Sequence, residues 1–262
     1  MTSEFDVQKY YASYPCRVIL RPGYPARAQY KSRFMWDHYS QQIVGSLKEI
    51  RTYADIGGCF GFGANSMAFQ IFKFQGKYPE TKVFEISPDF INIGKQLFPY
   101  IDFVQNDFRS VKETQDIFDL VTMFDVIEHI PDPTSFLSTV ARHARFALII
   151  TPMEAGGIWL WARRPVKQGA EHEDGHVNFF TPETYLELLK KSGLELIDGK
   201  CVHAIAPQNA EYVLHPEAPS HEKPLVKRIG ITLLDYKLFP YYIVRKIIGG
   251  GVYICLVRSN MI

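Results

Sequence analysis

A chain of 262 residues with 47% hydrophobic and 22% charged residues has the composition of a globular protein with a sizeable core. Its formal net charge of +1 sets up no strong field for acidic partners, and we predict that it binds no nucleic acid. The polar first residues are unlike a secretory signal, and no apolar run approaches the roughly 20 residues that span a bilayer. Four widely spaced cysteines indicate reduced thiols of a cytoplasmic protein rather than disulfides or a zinc site: Cys16, Cys59, Cys201 and Cys255.

Strand-like and helix-like segments alternate along most of the chain. The predicted strands cover residues 51–57, 81–86, 101–107, 118–125, 144–151, 194–205 and 251–259. Helices are predicted over 64–78 and 181–193, the second with Thr181 as its cap and Pro182 at its first turn. The runs 118–125 and 144–151 are apolar on both faces, which is typical of central parallel strands. The alternation predicts a doubly wound α/β fold.

Two segments lie outside this alternation. Residues 1–50 precede the first strand and end in a predicted helix, and we interpret them as an N-terminal helical lid. Residues 206–250 separate the last two strands, which is longer than an ordinary connection, and we interpret them as an insert for substrate or for an interface. The domain organisation is therefore a lid, a core over 51–205, this insert, and a last core strand over 251–262.

The stretch YADIGGCFGFGANS, residues 53–66, is a glycine loop between a strand and a helix, as in nucleotide-binding α/β proteins. Its glycines at 57, 61 and 63 match the spacing of NAD(P)-binding short-chain dehydrogenases. A pyrophosphate, however, favours backbone N–H groups without a carboxylate nearby, whereas Asp55 stands at the mouth of this loop. Residues 55–70 also contain no lysine or arginine. This charge pattern favours a cationic ligand without phosphate, such as S-adenosylmethionine.

The segment ADIGGCFG resembles the first motif of class I S-adenosylmethionine-dependent methyltransferases. Asp55, Gly57 and Gly61 match that motif, Cys59 replaces its middle glycine, and Gly58 supplies a neighbouring flexible position. The resemblance implies a seven-stranded Rossmann-like sheet and S-adenosylmethionine as cofactor.

Acidic residues follow the next two strands, where this family places its contacts to the nucleoside. Glu85, with Ile86 beside it, matches the residue that accepts both ribose hydroxyls. Asp107 matches the acid that bonds the adenine amino group, and the resemblance implies that Phe108 stacks on the base.

The run FDLVTMFDVIEHIPDP, residues 118–133, resembles the fourth motif of ubiquinone-biosynthesis and related small-molecule methyltransferases. The resemblance implies that Phe124 and Asp125 face the methionine end of the cofactor. A later stretch over residues 175–195, GHVNFFTPETYLELLKKSGLE, is similar to the same family.

Transfer to a hydroxyl requires loss of a proton, and histidine suits a general base near neutral pH. His129 and His176 stand where the family motifs expose them to the acceptor, with Asn178 as a neighbour that binds substrate. We therefore predict in-line transfer of a methyl group to an oxygen of a small molecule, sugar, glycan or lipid-linked acceptor, with a histidine base. A helix-end histidine bonded to Glu128 is the structural alternative for His129.

The flanking segments give further expectations. Tyr30 and Arg33 are candidates to reach the methionine carboxylate. The run 171–176, EHEDGH, holds five potential metal ligands, but such a run in a loop is typical of a solvated face or a lid, so we predict no metal site. Residues 222–262 hold seven Lys or Arg against two Asp or Glu. This segment fits peripheral membrane contact, packing on the core, or a homodimer interface.

Two other functions stay open on the sequence. An NAD(P)-dependent oxidoreductase would use the same glycine loop together with Tyr242 and Lys246. A protein that binds the cofactor without activity would keep the loop but not need the histidines.

Overall fold

The computed structural model of the chain describes residues 24–111, 117–153, 175–202 and 251–262. These residues form a three-layer α/β domain whose strands are β1 Thr52–Ile56, β2 Glu80–Glu85, β3 Asp102–Gln105, β4 Phe118–Phe124, β5 Ala144–Pro152, β6 Leu194–Val202 and β7 Val252–Ser259. The described α-helices are α1 Tyr24–Ser46, α2 Phe62–Gln75, α3 Pro88–Leu97, α4 Pro133–His143 and α5 Pro182–Lys191. Two short 3-10 helices cover Phe108–Ser110 and Ile127–His129.

The seven described strands form one sheet in the order β3-β2-β1-β4-β5-β7-β6. All neighbours are parallel except β7, which is antiparallel to both β5 and β6. This confirms the predicted doubly wound, seven-stranded fold. The strand order reverses between β1 and β4, and ligands of open α/β sheets bind beyond the carboxyl ends of the strands at such a point.

Each face of the sheet is covered by a separate apolar layer. On one face α4 and α5 contribute Phe136, Val140 and Tyr185, which pack on strand residues such as Val121 and Ile149. On the other face the buried side chains of the helices are Met35, Trp36, Tyr39 and Ile43 of α1, Ala64, Met67, Ala68 and Ile71 of α2, and Ile91 of α3. Burial on both faces explains why β4 and β5 are apolar throughout.

Helix α1 belongs to the core along one face. Its Met35 and Ile43 are fully buried, and the hydroxyl of Tyr39 donates to the carbonyl of Ile254 in β7 at 3.2 Å. A lid function of residues 1–50 stays a prediction, because residues 1–23 lie outside the described residues.

Helix boundaries follow the caps in the sequence. Helix α2 ends at Gln75, earlier than predicted, because Gly76 adopts a left-handed φ of 73° and closes the helix. Thr181 caps α5 as predicted, and its partner in the capping box is Thr184.

The last strand, β7, lies inside the sheet. Strand β7 is bonded on both sides, and Ile254, Cys255 and Leu256 are fully buried. Membrane contact through 222–262 therefore cannot use this strand, while 222–250 and the rest of the insert lie outside the described residues. Among the described helices, none has the length and apolar character needed to cross a membrane.

Candidate active site

The carboxylate of Asp55, near the end of β1, holds the glycine loop in place. Its Oδ1 accepts a hydrogen bond from Thr122 Oγ1 at 2.6 Å, and the hydroxyl of Tyr53 lies 2.7 Å from the same threonine oxygen. The backbone N–H of Ala64 in α2 also donates to this carboxylate. On Gly58, a Cβ would come within 2.7 Å of Asp55 Oδ2, so the loop passes against the carboxylate where only glycine fits.

Burial raises the pKa of Asp55 to about 7, the Thr122 hydrogen bond opposes this rise, and the charge of Glu85 adds to it. A cation nearby would favour the ionised form. Asp55 is 4% exposed and is not among the residues that line the cavity described below, so direct contact with a ligand stays a prediction.

Cys59 occupies the position of the missing middle glycine in a glycine-like conformation, with φ of 50°. Its N–H donates to Glu85 Oε2 at 3.0 Å, which joins the glycine loop to the end of β2. Gly57 also has a positive φ, of 69°, and a Cβ there would meet Val126 Cγ2 at 2.8 Å. Gly61 caps the start of α2.

Glu85 is the last residue of β2 and is 6% exposed. Its Oε1 accepts the N–H groups of Ile86 at 2.7 Å and Ser87 at 2.9 Å. Burial raises the pKa of Glu85, and the three backbone donors oppose that rise. A carboxylate oxygen accepts more than one hydrogen bond, so the predicted ribose contact is compatible with these bonds.

Asp107 lies just beyond β3 and pairs with Arg109, whose Nε is 3.1 and 3.0 Å from its two carboxylate oxygens. Partial burial raises the pKa of Asp107, but the hydrogen bonds and charge of Arg109 outweigh it and leave the pKa below its usual value. The Phe108 ring is 2% exposed and packs edge-on against Phe84 at 4.9 Å. Base stacking by Phe108 and base contact by Asp107 stay predictions.

Asp125 follows β4 with a left-handed φ of 56°, which is uncommon for a residue other than glycine. Its N–H donates to the carbonyl of Ile150 at 2.9 Å, and its carboxylate forms an ion pair with Lys31 of α1. Phe124 is half-buried and packs on the α1–α2 side of the core. The predicted contact of Phe124 with the cofactor stays a prediction.

A cavity opens between these strand ends at the switch point of the sheet. Three carboxylates border it, those of Glu85, Asp107 and Asp125, together with His129. Its other lining residues are Ile56, Gly57, Cys59, Phe84, Ile86, Phe90, Asn106, Phe108, Arg109, Val126, Ile130, Pro131 and Phe136. The walls are thus largely apolar, and the lining carries three carboxylates against one guanidinium, that of Arg109, a balance that suits a cationic ligand with a flat base.

His129 lines this cavity, and its ring packs against that of His176, the second predicted histidine. Their ring centroids are 4.8 Å apart, and His129 Nε2 is 3.9 Å from a carboxylate oxygen of the buried Glu128. The turn over 127–130 and the segment 175–178 are joined by hydrogen bonds: the carbonyl of Glu128 accepts the N–H groups of Val177 at 2.9 Å and Asn178 at 3.0 Å.

Asn178 completes this junction. Its side-chain Nδ2 donates to the carbonyls of Ile127 at 3.2 Å and Ile130 at 2.6 Å, so the amide has a structural task. Contact of Asn178 with substrate stays a prediction.

Tyr30 and Arg33 lie away from the lining of the cavity in the described part of the chain. The guanidinium of Arg33 is 5.8 Å from the ring centroid of Tyr30, and Arg33 is exposed. Lys31, between them, is the α1 residue that reaches the site. It precedes the buried Met35 and Tyr39 by one and two helical turns, and this periodicity is the signal that would have selected it.

Residues 55–198, more than half of the chain, match the profile of a family described as methyltransferase domain. The chain belongs to this methyltransferase family. S-adenosylmethionine is therefore its cofactor, as the first motif implied, and the dehydrogenase interpretation of the glycine loop is not supported. Tyr242 and Lys246, on which that interpretation also depended, lie outside the described residues. No curated protein matches the chain by sequence.

Solved structures show the same fold at low sequence identity. A predicted methyltransferase of Bacillus halodurans is 16% identical with a TM-score of 0.53, over 84% of this chain and 96% of that one. A predicted methyltransferase of Haloferax volcanii, solved with the Trm112 methyltransferase activator, is 13% identical with a TM-score of 0.58 over 97% of both chains. The plantazolicin methyltransferase BpumL, in complex with S-adenosylhomocysteine, is 13% identical with a TM-score of 0.57 over 97% and 94%.

The residues of this chain fit the cofactor in charge and shape. Glu85 at the end of β2 and Asp107 just beyond β3 line the cavity, as contacts to the ribose and base would require, and Asp125 would place a negative charge near the ammonium or sulfonium end. Gly58 lets the loop lie against Asp55 where any larger residue would collide. The sequence missed Thr122, which orients Asp55, because a threonine inside an apolar strand gives no signal of its partner.

Proposed function

We propose that this methyltransferase transfers the methyl group of S-adenosylmethionine to a hydroxyl of a small molecule or glycan. The observation that carries the proposal is that His129 lines the carboxylate-bordered cavity and packs against a second histidine, His176. Buried imidazoles beside an acceptor are suited to handle the proton that a hydroxyl must lose. An amine acceptor, which can attack from its neutral form, would have less need of this pair.

The bound cofactor supplies a methyl group already activated by its sulfonium, so the work of the protein is mainly positioning. Glu85 and Asp107 hold the nucleoside, and Asp125 with Lys31 holds the methionine end. His129 and Asp125 both border the cavity, so His129 receives the proton of the acceptor hydroxyl, and His176 stabilises the imidazolium that forms. The apolar wall of Val126, Ile130 and Pro131 excludes water from the reacting centre.

A scan with cofactor labelled with tritium in the methyl group tests this proposal. The acceptors are phenols, catechols, sugars and hydroxylated lipids, with primary and secondary amines as the competing class. We expect transfer to at least one hydroxyl compound and one S-adenosylhomocysteine per methyl transferred. Transfer to amines alone would overturn the hydroxyl assignment. Cofactor binding with no transfer to any member of the panel would favour a binding protein without activity.

Variants of the two histidines test whether one of them is the general base. His129→Gln and His176→Gln should each lower kcat about 100-fold or more, as expected for loss of a general base, while the affinity for S-adenosylhomocysteine changes little. His38→Gln is the matched control, because His38 lies on α1, where its Nδ1 donates to the carbonyl of Phe34. Unchanged kcat in both active-site variants would exclude a histidine base.

A further inference from the structure

The cluster formed by Glu128, His129 and His176 has the composition and geometry of a metal site. Each residue offers one ligand atom, and these three atoms all lie within 4.8 Å of one another. Two imidazole nitrogens and one carboxylate oxygen are ligands that zinc and related divalent transition metals prefer. Tetrahedral zinc bonds of about 2.0–2.2 Å place ligand atoms roughly 3.3–3.6 Å apart, so a separation of 4.8 Å would have to shorten by about 1.2–1.5 Å, which side-chain rotation can supply.

The hydrogen bond of His129 sets the ring in the orientation that a metal ligand needs. Its Nδ1 lies 3.3 Å from the carbonyl oxygen of Gly175, and since a carbonyl can only accept, Nδ1 carries the hydrogen. In the neutral ring, Nε2 then has a lone pair, and this atom is 3.9 Å from Glu128 Oε1. Metal-bound histidines commonly donate their other N–H to a backbone carbonyl in this way.

Burial strengthens the case for a cation among these atoms. The Glu128 side chain is 1% exposed and that of His129 13% exposed, while His176 is 7% exposed. A carboxylate in such surroundings is stable when positive charge lies beside it. A proton on Nε2 supplies one positive charge, whereas a divalent cation supplies two and also uses the nitrogen of His176.

The backbone around the cluster is already fixed. The carbonyl of Glu128 accepts two N–H groups of the segment 175–178, and Asn178 ties that segment to the carbonyls of Ile127 and Ile130. The ligands come from two chain segments about 50 positions apart, but hydrogen bonds hold the segments together without any metal. A cation would therefore bind a largely preformed site, at little ordering cost.

We propose that Glu128, His129 and His176 bind a divalent transition-metal ion, with zinc as the representative case. Sequence reasoning predicted no metal site, since it considered the run 171–176 alone and not the convergence of His176 with Glu128 and His129. The role of the ion rests on the proposed function. An acceptor hydroxyl bound to the ion loses its proton to water, because coordination lowers the pKa of the hydroxyl, and the alkoxide oxygen then takes the methyl group. In the metal-bound protein this route replaces the histidine base of the proposed function: His129 and His176 are then ligands, and His129 accepts the proton only in protein without the ion.

Cobalt titration tests the site without any methyl acceptor. Protein treated with a chelator and dialysed is titrated with Co²⁺, whose visible absorption reports nitrogen and oxygen ligands, and Zn²⁺ is then added in competition. We expect one Co²⁺ per chain, displaced by one Zn²⁺. His129→Ala and His176→Ala should each weaken binding at least tenfold, and Glu128→Gln should do the same, with circular dichroism to check that each variant is folded.

The controls separate this cluster from other binders. His38→Ala should bind Co²⁺ as the wild type does, and so should His172→Ala, which changes the neighbouring histidine of the run 171–176. The proposal would be overturned if His129→Ala and His176→Ala still bound one Co²⁺ per chain as the wild type does. It would also be overturned if His172→Ala were the only variant to lose Co²⁺ binding. Failure to bind Co²⁺ or Zn²⁺ at all would also overturn it, while leaving methyl transfer with a histidine base untouched.

Discussion

The carboxylate of Asp55 and the backbone of Gly58 are in direct contact: a Cβ on Gly58 would lie 2.7 Å from Asp55 Oδ2. The same added carbon would lie 3.0 Å from Val83 Cγ1. The aspartate and the second glycine of the DIGG run are therefore one structural unit. This unit sets the path of the loop between β1 and α2, against which we expect the cofactor to bind.

Gly58→Ala should displace this loop, because neither the carboxylate nor Val83 can move without breaking other contacts. We expect a loss of about 1–3 kcal/mol in the free energy of unfolding, typical of an overpacked site. S-adenosylhomocysteine should bind at least tenfold more weakly. Urea denaturation and calorimetric titration measure the two effects.

Gly45→Ala is the control for that substitution, since nothing lies within 4 Å of the added carbon in α1. Alanine favours a helix over glycine, so Gly45→Ala should be neutral or slightly stabilising. If Gly58→Ala and Gly45→Ala had the same free energy of unfolding and the same affinity for S-adenosylhomocysteine, the contact between Asp55 and Gly58 would not constrain the loop.

The raised pKa of Asp55 predicts a pH dependence of stability. The folded protein keeps the Asp55 proton up to about pH 7, whereas an unfolded aspartate releases it near pH 3.9. Between these values the folded state binds more protons, so the free energy of unfolding should fall as pH rises, by at most about 1.4 kcal/mol per pH unit from this group. Asp55→Asn should flatten this slope in urea denaturation between pH 4.5 and 7.

Cofactor binding should respond to the same ionisation in the opposite sense. The ionised carboxylate favours a cationic ligand, so affinity for S-adenosylmethionine should rise as pH increases through 7, and less so in Asp55→Asn. Asp102→Asn, at an exposed position of β3, should show the wild-type pH dependence of both the free energy of unfolding and the cofactor affinity. A slope in Asp55→Asn as steep as in the wild type would assign the pH dependence to other groups.

The ion pair between Lys31 and Asp125 places a positive charge beside a carboxylate that lines the cavity, as the zwitterionic methionine end of the cofactor would require. Lys31→Met should weaken binding of S-adenosylmethionine about tenfold, because the carboxylate of the ligand loses its cation. Decarboxylated S-adenosylmethionine, which lacks that group, should bind both proteins with similar affinity.

The comparison of these two ligands isolates the carboxylate contact. Lys48→Met, an exposed position between α1 and β1, is the matched control. If Lys31→Met bound both ligands more tightly, Lys31 would compete with the cofactor for Asp125 and would not bind the cofactor carboxylate.

Glu85→Gln should weaken S-adenosylmethionine and S-adenosylhomocysteine by the same factor, at least tenfold, since both carry the ribose. The amide nitrogen of glutamine cannot accept the N–H of Cys59 or a ribose hydroxyl in place of the lost oxygen. Glu49→Gln, at an exposed position, should leave both affinities unchanged. A selective effect on one of the two ligands would place Glu85 at the methyl end of the site.

The sequence predicted the strands and the glycine loop because these signals are local. Short apolar runs of strand length indicate the strands. Asp55 and Glu85 lie at or next to the end of a strand, and Asp107 lies just beyond one. The antiparallel insertion of β7 between β5 and β6 has no local signal, since the pairing of strands is decided by packing across the whole sheet. Even so, the apolar run 251–259 predicted the strand itself.

The hydrogen-bond partners of the site residues were harder to predict from the sequence than the places of these residues in the fold. The notable case is Asn178, for which a substrate role was expected and whose amide nitrogen bonds the carbonyls of Ile127 and Ile130. Such contacts join residues about 50 positions apart and depend on tertiary geometry. Likewise, Glu128 and His176 come together only because two loops meet beyond the carboxyl edge of the sheet.

Two separate calorimetric titrations of the wild-type protein, one with S-adenosylhomocysteine and one with NADPH, test the central claim most directly. The account predicts one site per chain for S-adenosylhomocysteine with a Kd on the order of micromolar, and no heat of binding with NADPH. Heat with NADPH alone, or no heat with S-adenosylhomocysteine, would contradict the assignment of this cavity to the methyl-donor cofactor.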